Sequence, residues 1–208
     1  MAGQPTFAGF GESLSQTDAA FAYAELMHAG QRRGDGTPFI LHPLEVASLL
    51  RDLGAPDHLV AAGVMHDLIE KTDVTAADLQ QRFGPRITAL VLAVSDDARI
   101  AGYARRKAAL RRQVAGAGEE ALMLFAADKL SKLRELRRET GTDSRVSAAS
   151  ARAREVRARR LRHYRRSLAL LEEGLPESRL VRELRDELAA LPGPAEPVSR
   201  VRHTSYLQ

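Results

Sequence analysis

The stretch VMHDLIEKT, Val64–Thr72, places a histidine, an aspartate and a glutamate close together within an apolar segment. Around it, apolar residues recur at the three- and four-residue spacing of a buried helix face, which predicts a central helix over about 57–69. Two ionisable groups inside such a helix are costly unless they are paired or bound to a metal ion. His66 and Asp67 are therefore candidate ligands of a divalent cation in the core.

Helical periodicity continues along the chain, and no segment shows the alternation typical of a strand. Pro43 suits a first helical turn, Thr75 is a candidate N-cap, and Gly84 separates two helical segments. We expect an all-α fold consisting of one helical bundle. The remaining predicted helices cover about 15–30, 42–54, 75–84, 85–97, 119–139, 143–173 and 176–191.

The composition limits the class of protein and the kind of site. A chain of 208 residues with 44% hydrophobic and 28% charged residues is typical of one globular domain. We expect an N-terminal extension over 1–15, a single domain over 16–191, and a flexible, proline-rich tail over 192–208. Cysteine is absent, which excludes disulfides and sulfur-ligated zinc. Since no signal peptide or membrane span is evident, we expect a cytoplasmic protein without a membrane partner.

The candidate donor set has four members: His42 at a helix start, His66, Asp67, and Asp128 after an apolar run. Two imidazoles and two carboxylates suit manganese, iron or zinc, and an ion with open positions can activate water for attack on phosphorus. A helix cap or a packing residue is the ordinary alternative for an isolated His or Asp, and the residues alone leave both interpretations open. The other histidines, His28, His58, His163 and His203, are interpreted as surface or capping residues.

Four segments, in this order, carry a resemblance to a known family: HAGQRRGDGTPFILHP, AAGVMHDLIEKTDVT, RFG and FAADKLSKLREL. Together they resemble the HD superfamily of metal-dependent phosphohydrolases, and in particular the hydrolase domain of RelA/SpoT-type alarmone enzymes and the stand-alone small alarmone hydrolases. The likeness is strong over about 16–140 and thinner to about 190. It implies an HD-domain helical bundle with a metal site in its core, which removes the 3′-diphosphate from (p)ppGpp or a related nucleotide.

The resemblance also implies roles for individual residues. His42, His66, Asp67 and Asp128 match the family's manganese ligands, although Fe²⁺ or Zn²⁺ would also suit them. Glu70 matches a carboxylate that orients or deprotonates the attacking water. The expected substrate-binding residues are Arg32, Arg33, Lys129, Lys132, Arg160 and Tyr164, with an ordinary helix surface as the alternative for the last two.

Two positions depart from the family pattern. Lys71 replaces the aspartate of a Glu-Asp-Thr motif, and Lys132 replaces an asparagine. Lys71 is therefore a second catalytic candidate. The replacement of the family's aspartate by this lysine implies a slower enzyme, a relocated proton acceptor or a different substrate. Alternatively, Lys71 faces solvent at a helix end, where a cation suits the helix dipole.

The favoured hypothesis is thus an enzyme whose partner is a small phosphorylated nucleotide with a guanine or adenine base. A catalytically degenerate HD module that binds a nucleotide as a sensor is the alternative. The arginine-rich segment 145–166 raises a third hypothesis, nucleic-acid binding, but it lacks interleaved aromatic residues and any recognised motif, so no nucleic-acid partner is expected. The sequence leaves homo-oligomer formation open.

Overall fold

The computed structural model describes residues 15–141 and 151–191, with side chains of 139–141 excepted. Within these ranges the chain forms helices and no strand, which confirms the all-α prediction. The loop between the first two helices contains one isolated bridge, between Arg32 and Pro38. The helices are α1 Gln16–Met27, α2 Leu41–Asp52, α3 Asp57–Met65, α4 Leu68–Lys71, α5 Ala76–Val94, α6 Tyr103–Gly116, α7 Glu119–Gly141, α8 Ala151–Gly174 and α9 Arg179–Ala190.

Local signals set several helix ends. The Ser15 hydroxyl accepts a hydrogen bond from the Asp18 backbone and caps α1. Thr75 and Asp78 form a capping box at the start of α5. Gly84 interrupts α5 with a φ of 79°, a conformation that favours glycine, so α5 consists of two helical segments as the sequence indicated.

Helices α3 and α7 form the centre of the bundle. Helix α3 packs against α1, α2, α5 and α7, and every residue from Leu59 to Met65 is buried. Helix α7 also contacts α2, α5, α6, α8 and α9. At Gly63, an added Cβ would lie 2.9 Å from Leu50 Cδ1, so this glycine allows α2 and α3 to approach closely. Helices α3 and α7 therefore hold the residues of the opening motif against the rest of the core.

The helix predicted over 57–69 is not continuous, which corrects the sequence analysis. Helix α3 ends at Met65, α4 begins at Leu68, and a turn containing His66 and Asp67 joins them. Asp67 has a φ of −96° and a ψ of −3°, outside ordinary helical geometry. This break changes the directions of two adjacent side chains that a regular helix would spread by about 100°.

Helix α6 was not predicted from the sequence. It spans Tyr103–Gly116 and places Leu110 and Val114 in the core. The predicted extension over 1–15 and tail over 192–208 lie almost wholly outside the described residues, as does His203, so they stay predictions. Among the described helices, none combines the length and the apolar character needed to cross a bilayer.

Candidate metal centre and substrate pocket

The structure brings the four candidate ligands together in the core. The Nε2 atoms of His42 and His66 lie 3.2 Å apart. Asp67 Oδ2 is 3.5 Å from each of these nitrogens. Asp128 Oδ1 is 3.3 Å from the first and 3.5 Å from the second. All four side chains are buried, and His42, His66 and Asp128 form a group compact enough to hold one metal ion.

The opposite ring nitrogens orient both histidines. His66 Nδ1 lies 2.8 Å from the Gly63 carbonyl oxygen, which can only accept, so Nδ1 donates and Nε2 is the nitrogen available to a metal ion. His42 Nδ1 lies 2.9 Å from the Ser131 hydroxyl oxygen. In metal sites, contacts of this kind at the ring nitrogen that does not bind the metal fix the orientation of the imidazole. Both rings therefore turn Nε2 toward the two aspartates.

These donors fit a divalent cation. Asp67 Oδ2 is buried and has no hydrogen-bond partner among the described residues. Two ring nitrogens and two carboxylates that converge at this spacing offer several ligand atoms to one divalent cation. Nitrogen and oxygen ligands together suit manganese, iron or zinc without selecting one of them.

Two lysines on α7 also face this centre. The ammonium of Lys129 pairs with Asp128 Oδ2. Lys132 Nζ lies 2.8 Å from Asp128 Oδ1 and 3.6 Å from Asp67 Oδ1. Burial raises the pKa of the Asp128 carboxyl, but the two ammonium groups outweigh burial and hold that pKa well below its usual value. Burial likewise lowers the pKa of Lys132, and Asp128 and Asp67 more than reverse this effect.

A pocket of about 500 Å³ adjoins the four donors, and His42 and Asp67 form part of its lining. It is bordered by the α1–α2 loop, α4, α6, α7 and α8. The predicted catalytic and substrate-binding residues all line this one pocket: Arg32, Arg33, Glu70, Lys71, Lys129, Lys132, Arg160 and Tyr164. Segments far apart in sequence thus meet beside the metal centre.

The two catalytic candidates lie at the edge of the pocket. Glu70 Oε1 accepts a hydrogen bond from the Asp96 backbone N–H at 2.6 Å, which fixes its carboxylate beside the site. Lys71 is exposed, and its carbonyl oxygen accepts from Gln31 Nε2 at 2.8 Å. Lys71 thus lines the pocket and is also exposed to solvent, so both interpretations made from the sequence stay open.

The predicted binding residues differ in how firmly the protein holds them. Arg33 Nε donates to Glu135 Oε1 at 2.8 Å, and only 7% of the Arg33 side chain is exposed. Arg32 Nη1 donates to the Gly36 carbonyl oxygen at 2.8 Å. Tyr164 is buried, and burial raises the pKa of its hydroxyl to about 12, so this group stays protonated as a donor.

One wall of the pocket was not predicted from the sequence, and α6 forms it with the segment before it. Lys107 Nζ lies 2.5 Å from Asp96 Oδ2, and Arg106 Nε lies 3.5 Å from the same oxygen. Tyr103 lines this wall, and the Arg159 guanidinium lies 4.4 Å from its ring centre. The run YARRK was the available signal, since it joins an aromatic residue to three cations.

Two of the histidines interpreted as surface or capping residues are buried. His28 is the C-cap of α1, as the capping interpretation allows. The interpretation was wrong for His163, which lies inside α8 and lines the pocket. Its Nδ1 lies 2.9 Å from Arg111 Nη1, and burial together with Lys129 and Lys107 lowers its pKa to about 2. His163 is therefore neutral, and its imidazole adds no charge to the wall.

Comparison with known proteins gives several relatives. The chain is 45% identical over 76 residues to a probable guanosine-3′,5′-bis(diphosphate) 3′-pyrophosphohydrolase of Synechocystis sp., a match that covers 36% of this chain and 10% of the relative. It is 29% identical over 127 residues to the Aquifex aeolicus guanosine-3′,5′-bis(diphosphate) 3′-pyrophosphohydrolase, a match that covers 60% of this chain and 18% of the relative. It is 34% identical over 128 residues to the Streptomyces coelicolor GTP pyrophosphokinase, a match that covers 60% of this chain and 15% of the relative. The matched region is thus a small part of each relative.

Solved structures share the fold. A metazoan ortholog of SpoT, described as hydrolysing ppGpp, superposes with a TM-score of 0.70 at 23% identity, covering 90% of this chain and 97% of that one. A Listeria monocytogenes EGD-e protein superposes with a TM-score of 0.62 at 27% identity, covering 74% and 97%. Residues 20–158 match the HD domain family, whose name describes the His-Asp pair found here in the turn after α3. By this match, the chain belongs to the HD domain family.

Proposed function

We propose that this protein is a metal-dependent nucleotide pyrophosphohydrolase that removes the 3′-diphosphate of an alarmone such as (p)ppGpp or its adenine analogue. The observation that carries the proposal is the convergence of His42, His66, Asp67 and Asp128 beside a cationic pocket. The Synechocystis and Aquifex relatives are named for the same reaction, which supports this proposal. HD-type hydrolysis at a pyrophosphate ester is therefore the favoured activity.

The charge of the pocket supports a polyphosphate substrate. Among its described lining residues, eight are lysine or arginine and four are aspartate or glutamate. A concave, partly enclosed site with excess positive charge attracts and holds anions more strongly than an open surface does. The cations come from several elements, with Arg32 and Arg33 in the α1–α2 loop and Arg106, Lys107 and Arg160 on α6 and α8.

Glu70 is the proposed proton acceptor. It lies one helical turn after His66, and the Asp96 N–H holds its carboxylate at the pocket edge. We propose that His42, His66, Asp67 and Asp128 hold Mn²⁺, which would polarise the phosphate and lower the pKa of water. The chain itself then orients the diphosphate through its lysines and arginines and accepts a proton at Glu70.

Three further parts of the proposal concern the setting of the reaction. We propose a cytoplasmic location, because the substrate class is a cellular nucleotide. We propose a small-molecule partner rather than a nucleic acid, because the pocket encloses its cations around one metal centre. Homo-oligomer formation stays a prediction.

The decisive test is turnover with a substrate panel. We expect the purified chain with Mn²⁺ to release pyrophosphate from guanine or adenine nucleotides that carry a 3′-diphosphate. Excess EDTA should abolish the release, and added Mn²⁺ should restore it, because the four core donors need a cation to act on phosphate. Nucleotide binding without any pyrophosphate release would instead support the sensor hypothesis.

Lys71→Asp tests the departure from the family motif. We expect the variant to hydrolyse a guanosine 3′-diphosphate about tenfold faster or more, since it restores a second carboxylate at the pocket edge. Steady-state kcat and KM should be measured beside Lys71→Gln, which removes the charge without adding an acid. Equal rates in all three proteins would show that this position does not take part in proton transfer.

A further inference from the structure

The ammonium groups of Lys129 and Lys132 both pair with the carboxylate of Asp128, but the two side chains differ in how exposed they are and therefore in how easily they can move. Lys129 pairs with Oδ2, only 4% of its side chain is exposed, and its Nζ lies 4.4 Å from the Phe125 ring centre. Lys132 pairs with Oδ1, and 31% of its side chain is exposed on the pocket wall. Removing Lys129 from its partner would leave a buried, unpaired charge, whereas Lys132 can turn toward the pocket at little cost.

The oxygen that Lys132 contacts is also the one that faces the metal donors. Asp128 Oδ1 lies 2.8 Å from Lys132 Nζ, 3.3 Å from His42 Nε2 and 3.5 Å from His66 Nε2. Lys132 Nζ is in addition 3.6 Å from Asp67, the second carboxylate of the centre. An ammonium and a divalent cation near the same oxygen repel each other strongly in a buried place. They therefore compete for Asp128.

The local charges balance before any cation is added. The carboxylates of Asp67 and Asp128 offset the ammonium groups of Lys129 and Lys132. A divalent cation would thus bring two uncompensated positive charges into the core, which is unfavourable. A phosphate group in the adjoining pocket supplies negative charge and three acceptor oxygens. It can receive the Lys132 ammonium that the cation displaces.

We propose that Lys132 makes cation binding and anion binding depend on each other. It competes with the divalent cation for Asp128 Oδ1 and transfers to a phosphate-like anion in the pocket when the cation binds. This inference rests on the proposed function, because it assumes a cation at the core donors. It predicts weak cation binding without an anion and stronger binding with one, and reciprocity requires the cation to strengthen anion binding equally.

The test is a calorimetric titration of Mn²⁺ into the full chain, with and without sulfate, a tetrahedral dianion whose manganese salt is soluble. We expect Lys132→Gln to bind Mn²⁺ about tenfold more tightly than the wild type without sulfate, equivalent to about 1.4 kcal/mol. Sulfate should strengthen Mn²⁺ binding to the wild type several-fold and to Lys132→Gln much less. Lys132→Arg keeps the charge and is the matched control, so it should resemble the wild type.

Circular dichroism and thermal unfolding in EDTA establish that each variant is folded, and Lys132→Asn is a second neutral variant. Mn²⁺ affinity that is unchanged or weaker in a folded neutral variant would overturn the inference. So would an equal sulfate effect in the wild type and Lys132→Gln. If the wild type hydrolyses its substrate while these affinities do not differ, only this inference fails. A wild type that binds no Mn²⁺, with or without sulfate, would overturn the proposed function as well.

Discussion

Replacing Asp128 with alanine is expected to abolish both Mn²⁺ binding and pyrophosphate release, and to destabilise the fold by about 3–5 kcal/mol. The first effect follows from the position of Oδ1, which lies within 3.5 Å of both candidate histidine ligands. The second follows from Lys129, which is buried and loses the carboxylate that pairs with its ammonium. Urea unfolding in EDTA measures the stability, and calorimetric titration with Mn²⁺ measures the affinity.

The double variant Asp128→Ala/Lys129→Met separates these effects. It removes the unpaired ammonium and places an unbranched apolar side chain beside Phe125, so most of the lost stability should return. Mn²⁺ binding and hydrolysis should stay absent, because the ligand oxygen is still missing. Mn²⁺ affinity close to that of the wild type in the folded double variant would show that Asp128 is not a ligand.

Replacing Glu70 with glutamine is expected to lower kcat by a factor of about 10²–10⁴, the usual contribution of a general acid or base. The amide oxygen of glutamine can still accept the hydrogen bond that the Asp96 N–H donates to Glu70, so the pocket edge should keep its shape. Since Glu70 lies outside the group of core donors, Mn²⁺ affinity should change little. Single-turnover kinetics and calorimetry measure the two quantities.

Glu119→Gln is the matched control, because it removes an exposed carboxylate at the start of α7, away from the pocket lining. It should leave kcat unchanged. Full activity in Glu70→Gln would contradict the assignment of the proton acceptor. The structure then offers Asp96, a pocket carboxylate whose Oδ1 is buried without a hydrogen-bond partner among the described residues.

Much of the site could be predicted from sequence because its candidate ligands belong to local motifs. His42 precedes a proline at a helix start, His66 and Asp67 are adjacent, and Asp128 follows an apolar run. Each motif combines a buried helix face with a polar residue that such a face rarely contains. The pattern therefore indicated that these residues lie inside, and the family resemblance indicated that they meet.

The wall formed by α6 could not be predicted in the same way. Its helix has few buried residues, and its cations resemble an ordinary solvated helix face. Lys107 becomes a pocket residue because the helix packs against α5, α7 and α8, which turns its ammonium toward Asp96. His163 was misinterpreted for a related reason, since a lone histidine among arginines gives no local sign of burial.

The sequence by itself determined the all-α fold, since helical periodicity is encoded locally, and together with the family resemblance it predicted the four candidate metal donors. Only the tertiary structure decided that α3 stops at Met65, so that His66 and Asp67 occupy a turn. It also decided that Lys132 shares Asp128 with the metal centre. These features depend on distances between helices, and packing sets such distances through contacts among residues far apart along the chain.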